Sequence, residues 1–206
     1  MSLILLETIY SSMLFILFLA IWKFKRYFQK KNSGKDPEVL AKSKSNIQIF
    51  VNRLFKIITM YALVLIFLHH LNIQFFSMFS RFELLNYFQA KTAGFIIGLT
   101  GLALCLYAQI KMGNSWRVGI DEKDRSELVM GGLYKFIRNP TYLGLFIFNF
   151  GVWIIIPTWT ICILNTVFIL SLEFQVRCEE DFLEKTFGEI YIEYKKKTWR
   201  YIPFIY

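Results

Sequence analysis

The chain has 206 residues, of which 55% are hydrophobic and 18% aromatic, with 24 Lys and Arg against 15 Asp and Glu for a formal net charge of +9. That apolar share exceeds the roughly 45–50% of a soluble domain, and the length allows one domain of several membrane helices rather than two soluble domains. Nucleic acid is excluded as the reason for the charge, because the basic residues flank apolar spans, where topology accounts for them.

The first predicted span is Leu3 to Trp22, with Glu7 near its outer end. A helix crossing the bilayer needs about 20 apolar residues. The N-terminus is apolar at once, with basic residues after it, and no small-residue cleavage pattern follows. It therefore reads as a retained helix rather than a signal peptide. A lysine-rich segment follows, with a loop signal from Asn32 to Pro37; its expected place is against anionic lipid headgroups. The second span runs from Leu54 to about Phe76 and contains His69 and His70, adjacent residues that point in different directions on a helix and form no ligand pair. The third runs from Thr92 to Ile110. Its Gly94, Gly98 and Gly101 make one face small enough for close helix contact, within the chain or between chains.

The apolar run from Tyr142 to Leu172 is too long for one ordinary span and holds Pro157 near its middle. Proline removes a backbone donor and clashes with the preceding turn. The expected result is a hairpin of two short helices, Tyr142–Ile156 and Thr158–Leu172, and the rival is one long helix kinked at Pro157. Near-helical apolar spacing at Phe182, Leu183, Phe187, Tyr191 and Tyr194 predicts an amphipathic helix folded back on the membrane surface, broken at Phe187 and Gly188. The fold class is thus all-α: a polytopic membrane protein of about five transmembrane helices, with a helical hairpin and a cytoplasmic C-terminal amphipathic helix.

Every Lys and Arg except Arg81 and Lys91 lies in segments 23–56, 111–139 or the tail from 173. With the N-terminus outside, all three segments are cytoplasmic, which is a strong positive-inside bias. Cys105, Cys162 and Cys178 share no metal-ligand or disulfide spacing. No metal is expected, and buried cysteine packs as a small hydrophobe.

The block Leu128 to Gly144 places Gly131, Gly132, Tyr134, Arg138, Asn139, Pro140 and Tyr142 where an apolar segment is about to enter the membrane. Polar and helix-breaking residues are expensive at that depth and usually line a cavity. Arg138 suits either of two roles, a headgroup anchor or a bidentate fork for a carboxylate or phosphate. Glu179 and Glu180, just past the last span, suit either a charged helical surface or a pair of carboxylates that accept hydrogen bonds or a proton at a site. The chain has no Gly-x-Gly-x-x-Gly motif after a strand, so a Rossmann domain is not expected.

In order and spacing, Gly113 to Arg117, Leu128, Val129, Gly132 to Tyr134, Arg138 to Pro140, Tyr142 to Gly144, Glu179, Glu180, Leu183, Phe187, Gly188, Tyr191, Tyr194, Ile202 and Pro203 resemble the isoprenylcysteine carboxyl methyltransferase and phospholipid methyltransferase superfamily. The ending, from Glu193 to Lys196 and from Ile202 to Ile205, is most similar to the isoprenylcysteine enzymes. The resemblance divides the chain into N-terminal helices and a basic loop at 1–91 and a methyltransferase-like core at 92–206, joined in one integrated domain. It implies an integral membrane enzyme that uses S-adenosylmethionine and methylates a lipophilic acceptor, a prenylated carboxylate or a lipid, at the cytoplasmic face. Carried over, Leu128, Val129, Gly132, Tyr134, Asn139, Pro140, Tyr142, Glu179 and Glu180 surround the cofactor, and Arg138 and Glu180 are the catalytic residues. Many relatives have His where this chain has Asn139, which keeps hydrogen bonding but does not titrate.

Two other classes compete. Sterol-type reductases using NADPH share a similar block but typically follow the glycine with Glu, where this chain has Leu145. An inactive membrane scaffold is the other.

Overall fold

The computed structural model describes residues 2–73, 77–120 and 127–204. Phe76, Lys123, Arg125 and Ile205, which enter the span, charge and motif expectations, lie outside them. Six α-helices run in chain order: α1 Leu3–Ser33, α2 Asn46–His70, α3 Phe88–Met112, α4 Pro140–Ile155, α5 Trp159–Phe187 and α6 Glu189–Lys197. No strand occurs among the described residues. Helices α1, α2, α3 and α5 are long and apolar enough to cross a membrane. Helix α4 has 16 residues and reaches about 24 Å, short of a hydrocarbon core of about 30 Å.

The helix boundaries depart from the sequence expectation in a consistent way. Helix α1 does not stop at Trp22 but continues through the basic stretch to Ser33, because no breaker intervenes before Gly34. Gly34 has φ 70°, and its N–H returns to the Lys30 carbonyl; such a left-handed cap favours glycine. Helix α2 begins at Asn46 rather than Leu54 and ends at His70 rather than about Phe76. The lysine-rich segment is therefore mostly helix extending past the apolar spans. In the hairpin the break falls at Ile156 to Thr158, where Pro157 requires it, and the Thr158 hydroxyl caps Ile161. The second arm is not short, however: α5 continues through Glu179 and Glu180 to Phe187. Charged side chains with helical spacing, such as Glu173 and Arg177 at 2.9 Å, sustain a helix outside lipid as apolar ones do inside it.

Helices α3 and α4 approach most closely. A Cβ on Gly94 would lie 2.9 Å from the Gly151 carbonyl, and one on Gly144 would lie 2.6 Å from the Cys105 sulfur. With nothing at these positions but hydrogen, backbone packs on backbone, the usual solution where lipid removes the hydrophobic drive between helices. Leu14, Leu65, Leu102, Ile155, Ile156 and Ile161 form the core between α1, α2, α3 and the hairpin. Ile16, Phe24, Ile57, Met60, Phe67, Ile96 and Leu170 are exposed, an apolar exterior suited to acyl chains.

At the hairpin end, Glu7 is 1% exposed. Its carboxylate accepts from Lys91 at 2.6 Å and from Arg81 at 2.7 Å. Glu7 is thus a buried tie between helices. Both cations outside the three basic segments are spent on it. His69 packs beside this cluster and bonds Thr160 at 2.9 Å, while His70 bonds Ser11 at 3.0 Å; both are packing residues.

Candidate active site

The block before α4 is built from a turn and a short extended run. Gly132 has φ 63°, which admits glycine without strain, and it starts a single helical turn from Gly132 to Lys135. That turn places Tyr134 under α3, buried, with its hydroxyl donating to the Ala108 carbonyl at 3.4 Å. The chain then extends through Phe136 to Asn139 and pairs with the C-terminal segment. The Trp199 N–H donates to the Phe136 carbonyl at 2.9 Å, the Arg138 N–H to Trp199 at 2.8 Å and the Asn139 N–H to Arg200 at 3.1 Å. Pro140 opens α4, where its missing N–H is no loss.

Pairing of these segments assembles a second buried carboxylate cluster. Glu180 Oε1 accepts from Arg138 Nε and from Asn139 Nδ2, both at 3.0 Å, and Oε2 accepts from Arg200 at 2.8 Å. Arg138 NH1 also donates to the carbonyls of Thr198 and of Lys195, the latter at 3.3 Å. Arg200 reaches on to Glu173 at 2.9 Å, and the Tyr201 hydroxyl donates to the same carboxylate at 2.6 Å. Helix α5, the block before α4 and the tail are thereby locked at one point. Charge-assisted bonds of this kind are about twice as strong as neutral ones.

Beside the cluster lies a cavity of about 130 Å³, room for on the order of ten waters. Leu128, Val129, Tyr134, Arg138, Asn139, Tyr142 and Glu179 line it, so seven of the sequence-predicted site residues meet at one space. Gly132, Pro140 and Glu180 stand behind that lining: Gly132 shapes the turn, Pro140 begins the helix, and Glu180 holds Arg138 and Asn139. Glu179 faces the cavity instead, with Oε1 accepting from the Tyr142 hydroxyl and from Gln175, both at 2.8 Å.

Other lining residues were not among the predicted site residues, although Arg117, Tyr191 and Tyr194 belong to the pattern that carries the resemblance. Phe182, Tyr191 and Tyr194 come from the last turns of α5 and from α6, and Gly119 and Ile120 from the loop after α3. Arg117 sits with its guanidinium 5.9 Å from the Phe182 ring. Arg200 shows only a positive charge in the tail, and its partnership with Glu180 exists only after the tail folds back. Burial pushes the Tyr134 hydroxyl up to about 12 and raises Tyr191 and Tyr194 as well. These phenols stay neutral at physiological pH, so they offer ring faces and hydrogen bonds rather than bases.

Residues 90–190 match the family model described as phospholipid methyltransferase. The protein-S-isoprenylcysteine O-methyltransferase of Xenopus laevis is 32% identical over 116 residues, covering 54% of this chain and 40% of the relative. The Dictyostelium discoideum protein of that name is 26% identical, covering 65% and 58%, and the human one is 29% identical, covering 56% and 42%. The chain thus spans about half the length of the curated relatives it matches. Among solved structures, the eukaryotic intramembrane Ras methyltransferase ICMT superposes with a TM-score of 0.56 at 23% identity, covering 73% of this chain and 52% of that one. The helical membrane architecture is shared with it, and the residues that the family model matches include the whole block before α4 together with Glu179 and Glu180. Residues 90–190 thus carry the pattern of the phospholipid methyltransferase family, and the similar curated relatives are protein-S-isoprenylcysteine O-methyltransferases.

Proposed function

We propose that this protein transfers the methyl group of S-adenosylmethionine to a lipophilic carboxylate of the S-isoprenylcysteine type, at the cytoplasmic face of the membrane. The observation that carries the reading is the cavity itself. It places aromatic faces (Tyr134, Tyr142, Phe182, Tyr191, Tyr194), two carboxylates (Glu127, Glu179) and two guanidinium groups (Arg117, Arg138) around a single space. This donor set suits a sulfonium nucleoside with an amino-acid tail: ring faces attract the cation, and a carboxylate accepts from amino or hydroxyl groups. S-adenosylmethionine supplies an activated methyl, so an ionised carboxylate acceptor already suffices as nucleophile.

The residues of the chain then orient, desolvate and balance charge. Both bonds that fix Glu179 fall on Oε1, which leaves Oε2 to accept from the donor. Arg138 spends Nε and NH1 on Glu180 and on backbone carbonyls, and its NH2 edge is the group that orients an acceptor carboxylate. Glu180 acts through Arg138 and Asn139 as a positioning residue, already occupied by cations and unsuited to take a proton. Asn139 donates a hydrogen bond to Glu180, which needs an N–H and no titration, so it serves where imidazole stands in many relatives. The orientation rests on the basic segments and on Glu7, which neutralises the opposite end through Arg81 and Lys91.

Calorimetry on detergent-purified protein tests the donor, and label transfer from S-adenosylmethionine to N-acetyl-S-farnesylcysteine or to phosphatidylethanolamine tests the acceptor. We expect S-adenosylhomocysteine to bind, NADPH not to bind, and the farnesylcysteine product to release its label as methanol on mild base treatment, as a methyl ester does. NADPH binding without adenosyl binding overturns the donor assignment, and label in phosphatidylethanolamine alone overturns the carboxylate.

A further inference from the structure

The segment from Val118 to Ile120 forms one wall of the cavity, with Gly119 and Ile120 among its lining residues. That wall is held from the N-terminal half of the chain. Gln48, in the first turn of α2, is 3% exposed. Its carboxamide makes a reciprocal pair with the backbone of Ile120: Nε2 donates to the Ile120 carbonyl and Oε1 accepts the Ile120 N–H, both at 2.9 Å. A side chain here satisfies a backbone donor and acceptor as a neighbouring strand would. Gly119 has φ 90°, and a Cβ there would lie 2.8 Å from Gln48 Oε1 and 2.9 Å from Leu40. The two elements therefore meet at a distance that only glycine permits.

The same wall is fastened a second time. The Val118 N–H donates to the Pro37 carbonyl at 2.9 Å, and the Val118 carbonyl accepts from Leu40 at 2.8 Å. That loop is in turn tied to the end of α1, where Arg26 bonds Asp36 at 2.8 Å and Glu38 at 2.9 Å. The bonds from Arg26 and Lys42 hold the Asp36 carboxyl well below the usual carboxylate range, so this fastening persists across physiological pH.

We propose that Gln48, which lies outside the residues matched by the family model, is a positioning residue for the methyl-donor cavity. It fixes the Gly119–Ile120 wall and so couples the two N-terminal helices to donor binding. The proposal rests on the donor reading above. Replacing the carboxamide leaves the Ile120 N–H and carbonyl without their partners and lets the wall move, while Arg138, Glu179 and Tyr142 keep their places.

Three measurements test it: S-adenosylhomocysteine affinity, the split between kcat and donor KM, and amide hydrogen exchange at 118–120. Gln48→Leu weakens the adenosyl ligand by about tenfold, raises donor KM with little change in kcat, and speeds exchange at Ile120. Gln48→Glu keeps an acceptor for the Ile120 N–H but not the donor, and falls between Gln48→Leu and wild type. Gly119→Ala, which pushes the same contact apart from the other side, shows the same split. Unchanged affinity in Gln48→Leu overturns the proposal even if methyl transfer is confirmed. Should all three variants fail to fold, the wild type decides: S-adenosylhomocysteine must slow exchange at Ile120, and a binding ligand that leaves that amide untouched also overturns it. A wild type that binds no adenosyl ligand removes the donor reading and this inference together.

Discussion

Two glutamates of this protein are buried in the same way and serve different ends. Glu7 and Glu180 are 1% and 3% exposed, and each is held by two cations brought from distant parts of the chain. Around Glu7 the ring is closed: the Lys91 side chain is fully buried, and its ammonium also donates to the Ile155 carbonyl at 3.2 Å, at the end of α4. That cluster ties α1, α3 and the hairpin turn, where the Phe82 N–H meets the Pro157 carbonyl at 2.7 Å. Around Glu180 the ring is open on one side, because Arg138 and Asn139 both reach the cavity. Burying a charge demands partners in either place. Only where a partner also faces open space does the cluster hold chemistry in position rather than simply hold helices together.

The comparison breaks most readily at its closed end. Glu7→Ala leaves the fully buried Lys91 and the largely covered Arg81 without a counter-charge, and loss of one member of such a cluster destabilises by about 3–5 kcal/mol. Denaturation of the detergent-solubilised protein should show that loss, while the fraction still folded binds S-adenosylhomocysteine as the wild type does. A parallel loss of ligand affinity would mean that the two clusters are not separate. Glu180→Gln sharpens the contrast from the other side. Arg138 and Arg200 keep 11% and 15% of their side-chain surface, so water relieves part of the charge. The stability loss should be smaller than for Glu7→Ala, while kcat/KM falls by about tenfold to a hundredfold, the equivalent of one hydrogen bond to a charged group. Wild-type turnover in Glu180→Gln would remove its positioning role. The smallest effect belongs to the exposed pair of Lys196 and Glu193. Glu193→Gln should leave both melting temperature and turnover unmoved, since exposed pairs contribute little.

The hairpin break and the block before α4 were legible because each depends on local chemistry. Pro157 cannot continue a helix, and Gly132 and Pro140 impose a turn and a helix start whatever surrounds them. Helix ends were less legible. Apolar runs report where lipid lies, but α1, α2 and α5 extend beyond lipid into charged sequence that is equally helical. Seven of the candidate site residues share one cavity, yet Glu180, chosen as a catalytic residue, is turned away from it. Its sequence neighbour Glu179 faces inward, and which of two adjacent glutamates does so depends on the rotation of α5 against α4.

The amino-acid sequence by itself determined the solvent of this protein, its helical class, its charge asymmetry and the location of the block that matters, because hydropathy, glycine and proline act over a few residues. Tertiary structure alone decided which charges neutralise which: Glu7 with Arg81 and Lys91, Glu180 with Arg138 and Arg200. It alone brought Gln48 to Ile120. These partners lie far apart in the chain, and their meeting follows from how the helices pack and how the tail folds back, which no local pattern encodes.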